Sequence, residues 1–192
     1  MCTRRILTES RALEERDLRG EFDRVALPHL DAAYNLARWL TRHDQDAEDV
    51  VQEAYLRAFQ FFRSFRGETG RAWMLKIVRN TCHTWLSKNR ASASVSSGPE
   101  LLNAVASSAT GPEALVEQSE DRKRLMQAVD ALPVEFREVI VLRELEDLSY
   151  KDIARIADIP MGTVMSRLAR ARERLHELLD RRAHEEAEHG LP

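Results

Sequence analysis

Residues 149–174 read SYKDIARIADIPMGTVMSRLARARER, and the way this stretch divides decides the fold. Ser149 and Asp152 have the S-x-x-[DE] spacing of a capping box, in which a hydroxyl and a carboxylate satisfy backbone N–H groups at a helix start. The helix opened there carries Ile153, Ala154 and Ala157 inward and stops at Asp158-Ile159-Pro160, since proline cannot continue it. A second helix starts at once. At ~100° per residue, Val164, Leu168, Ala171 and Leu175 fall in one narrow sector, the packed side. Gly162, Ser166 and Glu173 centre the opposite sector. Thr163, Arg167, Arg170 and Arg174 line one edge of it, and Met165 and Ala169 the other. A short helix, a tight break and a second helix carrying bases are the parts of a helix-turn-helix. Small residues let such a helix sit deep in a major groove, and arginines reach phosphates or guanine edges. A solvated helix with arginine-rich turns is the simpler alternative; the capped helix and abrupt break before it argue against that.

The helical step extends through nearly all other periodic segments, and no stretch alternates long enough for a sheet. The expected fold is all-α: two small helical domains joined by a flexible linker, the second containing the helix-turn-helix. After Pro28 the first domain, residues 21–90, places Leu30, Ala33, Tyr34, Ala37 and Leu40 on one face. A second helix follows with Ala47, Val51, Ala54, Ala58 and Phe62. A third, from about Arg71 to Leu86, has Trp73, Ile77 and Trp85 as candidates for burial, with Gly67 and Gly70 breaking the pattern before it. Residues 91–118 are rich in Ser, Ala and Gly-Pro and cannot bury enough apolar surface to fold alone, although a short helix over Glu100–Val105 fits the pattern. The second domain, residues 119–180, starts with a helix from about Asp121 to Ala131. The next, from about Val134 to Glu144, buries Phe136, Ile140 and Val139. Residues 1–20 form an extension and 181–192 a charged tail to which no role is assigned.

The net charge of −3 hides local poles. Residues 1–90 carry 16 Lys+Arg against 13 Asp+Glu, and residues 91–120 carry four acids and no base. Such poles are what a phosphate backbone feels. The second helix of the first domain opens with Asp44, Asp46, Glu48, Asp49, Gln52 and Glu53 opposite its apolar face. One or two acids would suffice to complement the helix dipole. Immediately afterwards come Arg63, Arg66, Arg71, Lys76, Arg79, Lys88 and Arg90, interleaved with Phe65, Trp73, His83 and Trp85. Bases alternating with aromatics hold unstacked single strands, although tryptophan more often serves as core.

Cys2 and Cys82 cannot make a disulfide framework, and no Cys/His pair has zinc-ligand spacing. No apolar run approaches the ~18 residues of a membrane span, and MCTRRILTES lacks a signal peptide's apolar core. A reduced, cytoplasmic protein without membrane insertion, metal or other cofactor follows. An enzyme built on Cys82-His83 is disfavoured, because adjacent helix residues point ~100° apart.

Four stretches carry a resemblance. DAEDVVQEAYLRAF (Asp46–Phe59), AWMLKIVRN (Ala72–Asn80), LPVEFREVIVLRELEDLSYKDIA (Leu132–Ala154) and IPMGTVMSRLARARERL (Ile159–Leu175) resemble, in that order, the core-binding, −10-reading and −35-reading parts of bacterial sigma factors. They look most like the extracytoplasmic-function (ECF) subgroup. The resemblance implies a promoter-specificity subunit, not itself an enzyme and without a small-molecule substrate, and its partners would be core RNA polymerase, through the β′ clamp helices and β subunit, and promoter DNA. An anti-sigma factor is also expected. Asp46, Asp49, Gln52 and Glu53 match the motif that docks on core polymerase. Arg66, Arg71, Trp73, Lys76, Arg79, Asn80 and His83 match the −10 reader, and Thr163, Met165, Ser166, Arg167, Ala169 and Arg170 the −35 reader. Met165 stands where relatives frequently carry a base. The alternative is a free-standing helix-turn-helix regulator binding an operator as a dimer, though nothing in the first domain suggests a symmetric helical seam.

Overall fold

The computed structural model describes residues 16–66, 69–95 and 114–189. The expectations for Cys2, the 1–15 extension and the Glu100–Val105 helix lie outside these residues. The described chain is helical, with no strand. A helix α1 covers 16–26, and a 3-10 turn over Leu27–His29 leads into α2 (Leu30–Thr41). There follow α3 (Asp44–Phe61), α4 (Gly70–Val95), α5 (Ala114–Ala131), α6 (Val134–Ile140), α7 (Tyr150–Ala157) and α8 (Met161–His189).

In the first domain α2, α3 and α4 pack against one another. α2 ends where Arg42 takes a left-handed conformation, φ 66°. Two acids in its first turn, Asp44 and Asp46, complement the dipole of α3. Ala33, Ala37, Leu40, Ala47, Val51, Ala54 and Ala58 are buried as the periodicity requires, and Phe62 is buried in the 3-10 turn after α3. Leu30 is exposed and Tyr34 half-buried, and Leu36, outside the expected face, is fully buried.

On α4 the expectation of buried Trp73, Ile77 and Trp85 is corrected. The fully buried set is Ala72, Met74, Leu75, Val78, Thr81 and Cys82, and the three larger side chains lie half-buried at its margins. Three partners, α2, α3 and α7, surround this helix, so small and slender residues take its centre. Trp73 packs at a 4.9 Å ring-centroid distance from Phe65 and 6.0 Å from Phe62. The helix runs on to Val95 because Ala-Ser sequence supplies no breaker before Gly98-Pro99. α8 likewise extends to His189, through Leu, Glu, Ala and Arg.

In the second domain, Leu148, Ile153, Ile156, Val164, Leu168 and Ala171 are buried, with Leu175 half-buried beside them. Ser149 Oγ accepts the Asp152 backbone N–H at 3.1 Å, the N-cap half of a capping box, and the Ser149 hydroxyl donates to the Asp152 carboxylate at 2.6 Å. Asp158 closes α7 at φ 55°. α6 opens after Pro133, and Val141–Leu145 widens into a single π turn before Glu146. Val139 and Ile140 are buried; Phe136 and Ala154 are only half-buried.

The two domains meet face to face, α2 on α6 and α4 on α7, and one buried cluster runs from Ala33, Leu75 and Cys82 through to Val139, Ile153 and Leu168. Nothing in the sequence indicated this docking.

Candidate nucleic-acid and polymerase interface

Each of the three groups of site residues sits on a single helix, except Arg66 on the loop before α4, so periodicity sets its outward face. On α3, Asp49, Gln52 and Glu53 are exposed and Asp46 is half-exposed beside His43, 3.7 Å away. Glu53 pairs with Arg57 one turn on. Leu56 continues this acidic strip and is 66% exposed. It lies about 200° from Ala54 on the helical wheel, opposite the packed face, which was a signal for a contact residue available in the sequence.

On α8, Met165, Ser166, Ala169 and Arg170 are exposed, and Thr163 and Arg167 are partly covered. The later arginines are occupied within the domain: Arg172 donates to Glu144 at 2.7 Å, and the Arg174 guanidinium lies 5.7 Å from the Phe136 ring centre. The accessible cations therefore concentrate at Arg167 and Arg170, in the half of the helix that also carries the small residues.

The third group is placed differently. Arg66, on the loop before α4, is exposed and folds back to donate to the Arg63 carbonyl at 3.0 Å. Asn80 is exposed and accepts from Arg79 at 3.2 Å, and Lys76 and Trp73 are half-buried. Arg71, and two and three turns further along α4 Arg79 and His83, turn instead into the second domain. Arg71 Nη2 lies 2.6 Å from Glu146 Oε2, Arg79 Nε 2.7 Å from Glu138 Oε1, and His83 Nε2 3.1 Å from Glu138 Oε2. Glu146 also accepts from Asn35 of α2 at 3.5 Å. Glu138 is fully buried. Burial alone would push its carboxyl up, but the hydrogen bonds from His83 and Arg79 and the Arg79 charge outweigh this and lower its pKa. It is therefore a carboxylate at neutral pH. Sequence reasoning missed both glutamates: in VEFREVI the apolar pattern assigns Glu138 no partner, because its partners are 55 and 59 residues away.

Neighbouring groups show the cost of this junction. Arg137 is buried, with its Nε unpartnered; burial first, then the Arg42 guanidinium, lowers its pKa to about 10 against the opposing pull of Asp130. Cys82 is buried behind His83, and burial with the nearby Glu138 charge pushes its thiol up to about 12. With His83 committed to Glu138, the pair does not form a nucleophile and base.

Comparison with known proteins agrees with this layout. Residues 26–92 match the model for sigma-70 region 2 and residues 122–175 that for sigma-70 region 4. The ECF RNA polymerase sigma-E factor of Escherichia coli is 38% identical over 135 residues, covering 67% of this chain and 71% of that protein. The ECF RNA polymerase sigma factor SigE of Mycolicibacterium smegmatis is 31% identical over 167 residues, 87% of this chain, which spans 65% of the relative's length. Among solved structures, the sigma factor RpoE of Bartonella quintana, in complex with the anti-sigma factor NepR, superposes with a TM-score of 0.71 at 30% identity, covering 83% of this chain and 97% of that one. CnrH in complex with the cytosolic domain of CnrY gives 0.58 at 25% identity, covering 83% and 87%. Two regions of one family, matched in order in a single chain, favour a sigma factor over a free-standing dimeric regulator. The chain belongs to the extracytoplasmic-function sigma factors of bacterial RNA polymerase.

Proposed function

We propose that this chain binds core RNA polymerase through the exposed strip Asp46, Asp49, Gln52 and Glu53 of α3, and directs initiation by reading two promoter elements. α4 takes the −10 element as an opened single strand: Arg71, Lys76 and Arg79 hold phosphates with Arg66 from the preceding loop, Asn80 reads a base edge, and Trp73 and His83 supply ring surface. α8 enters the major groove of the −35 element with Thr163, Met165, Ser166, Arg167, Ala169 and Arg170. In this role the chain acts in the cytoplasm as a specificity subunit and catalyses nothing itself. Among the described residues no helix is long and apolar enough to cross a membrane. An anti-sigma partner fits the same reading, since RpoE of Bartonella quintana was captured with the anti-sigma factor NepR.

The observation that carries the core-binding assignment is the exposure of the acidic strip opposite a face of α3 that packs on α2 and α4. Acids that served only the dipole would end with the first turn, whereas Gln52 and Glu53 lie two turns beyond it. Replacing Asp49 and Gln52 with alanine is expected to weaken core binding at least tenfold, about 1.4 kcal/mol, and to leave binding of −35 duplex DNA unchanged. Equal losses in both assays would mean that the strip is structural.

A further inference from the structure

Among the described methionines, Met74 is fully buried in the first domain, whereas Met126, Met161 and Met165 are 42%, 51% and 48% exposed. Met161 opens α8 and Met165 stands one turn on, so the two side chains are neighbours along one edge of the helix. Gly162 between them adds no side chain, and a Cβ built there would meet nothing within 4 Å. Both thioethers are therefore open to solvent at the end of α8 that leads into a major groove. Met126 lies apart, on α5, lining a cavity with Trp39 and with Leu175, nearly three turns along α8 from Met165. The sulfur that an oxidant would ordinarily meet first is shielded. Cysteine reacts as its thiolate, and Cys82 is buried, its thiol pushed up to about 12 by burial and then by the Glu138 charge.

We propose that Met161 and Met165 are an oxidation site through which a peroxide alters promoter reading: their sulfoxides weaken −35 recognition, and reduction of the sulfoxides restores it. In the step, a lone pair of the thioether sulfur attacks one peroxide oxygen, and the S–O bond forms as the O–O bond breaks. Sulfur loses two electrons, and the second oxygen leaves as water with both peroxide protons. An apolar side chain has become a polar one. A thymine methyl group offers the new oxygen no donor, so an apolar contact gives way to an unpaired polar group. This rests on the assignment of α8 as the −35 reader.

The test treats the full chain, in a Cys2→Ser background, with hydrogen peroxide, removes the peroxide and assembles the chain with untreated core polymerase. Peptide mass mapping is expected to find sulfoxide at Met161 and Met165 and an unmodified Met74. Affinity for a promoter duplex should fall about tenfold, the scale of one unpaired polar group at a contact. The two methionine sulfoxide reductases, one for each epimer, should restore it. The Met161→Leu/Met165→Leu chain is compared only with itself, treated against untreated, and that ratio should stay at unity. Oxidation of both methionines without loss of affinity overturns the proposal, and so does their failure to oxidise. An equal loss in the leucine variant also overturns it, by placing the damage elsewhere. Should that variant fail to assemble, Met126→Leu carries the comparison, and disappearance of the loss there is the contrary result. Arg167→Ala/Arg170→Ala in the untreated chain separates these outcomes from a failure of the underlying reading: if −35 binding survives that change, α8 is not the reader.

Discussion

Met165 is an apolar side chain on a helix otherwise rich in arginine. It is 48% exposed on the edge of α8 that Ala169 shares, away from Arg167 and Arg170. A thioether there can meet a thymine methyl group but offers no useful hydrogen bond to guanine. Promoters used by this protein are therefore expected to carry a T·A pair opposite Met165, and Met165→Arg should move that preference toward G·C by about 1–3 kcal/mol in a −35 selection assay. A variant that selects the same −35 sequences as the parent would remove the residue from the contact. The sequence disclosed this position because helical geometry alone puts it outside. Glu138 stayed hidden for the opposite reason: a buried carboxylate is explained only by partners that another domain supplies.

Elements were legible where one neighbour decides their packing. The sector Val164, Leu168 and Ala171 of α8 was readable, and so was the break at Asp158 before Pro160. α4 was misread because α2, α3 and α7 surround it, which assigns its centre to Ala72, Leu75, Val78 and Cys82 and leaves its tryptophans at the margins. Its first residue shows how tightly it is seated. A Cβ on Gly70 would lie 2.7 Å from the Val25 carbonyl oxygen and 2.9 Å from Val25 Cγ1, and a backbone oxygen has little room to yield. Gly70→Ala is expected to cost about 1–3 kcal/mol through overpacking, despite alanine's better helix propensity. At this chain length each kcal/mol lowers Tm by about 2–4 °C. A variant that melts with the parent would show that α1 and α4 are not held in contact at this point.

At the scale of the molecule, two domains could be inferred from the loss of periodicity between them, and the family from the order of the acidic, aromatic-basic and helix-turn-helix segments. Their mutual docking could not, because the pairs Arg71–Glu146 and Arg79–Glu138 span 75 and 59 residues and follow no local period. The buried cluster that joins α2 and α4 to α6 and α7 is the larger consequence. Beside it Arg71 pairs with Glu146, and Arg79 and His83 pair with Glu138. The most direct test is reconstitution: the purified chain is added to sigma-free core polymerase with a promoter library, and transcript 5′ ends are mapped. Initiation from a set of sites sharing paired −10 and −35 elements, absent with core alone, is the expected result. Failure to initiate from any site, together with dimeric binding of the chain to an isolated operator, would contradict it.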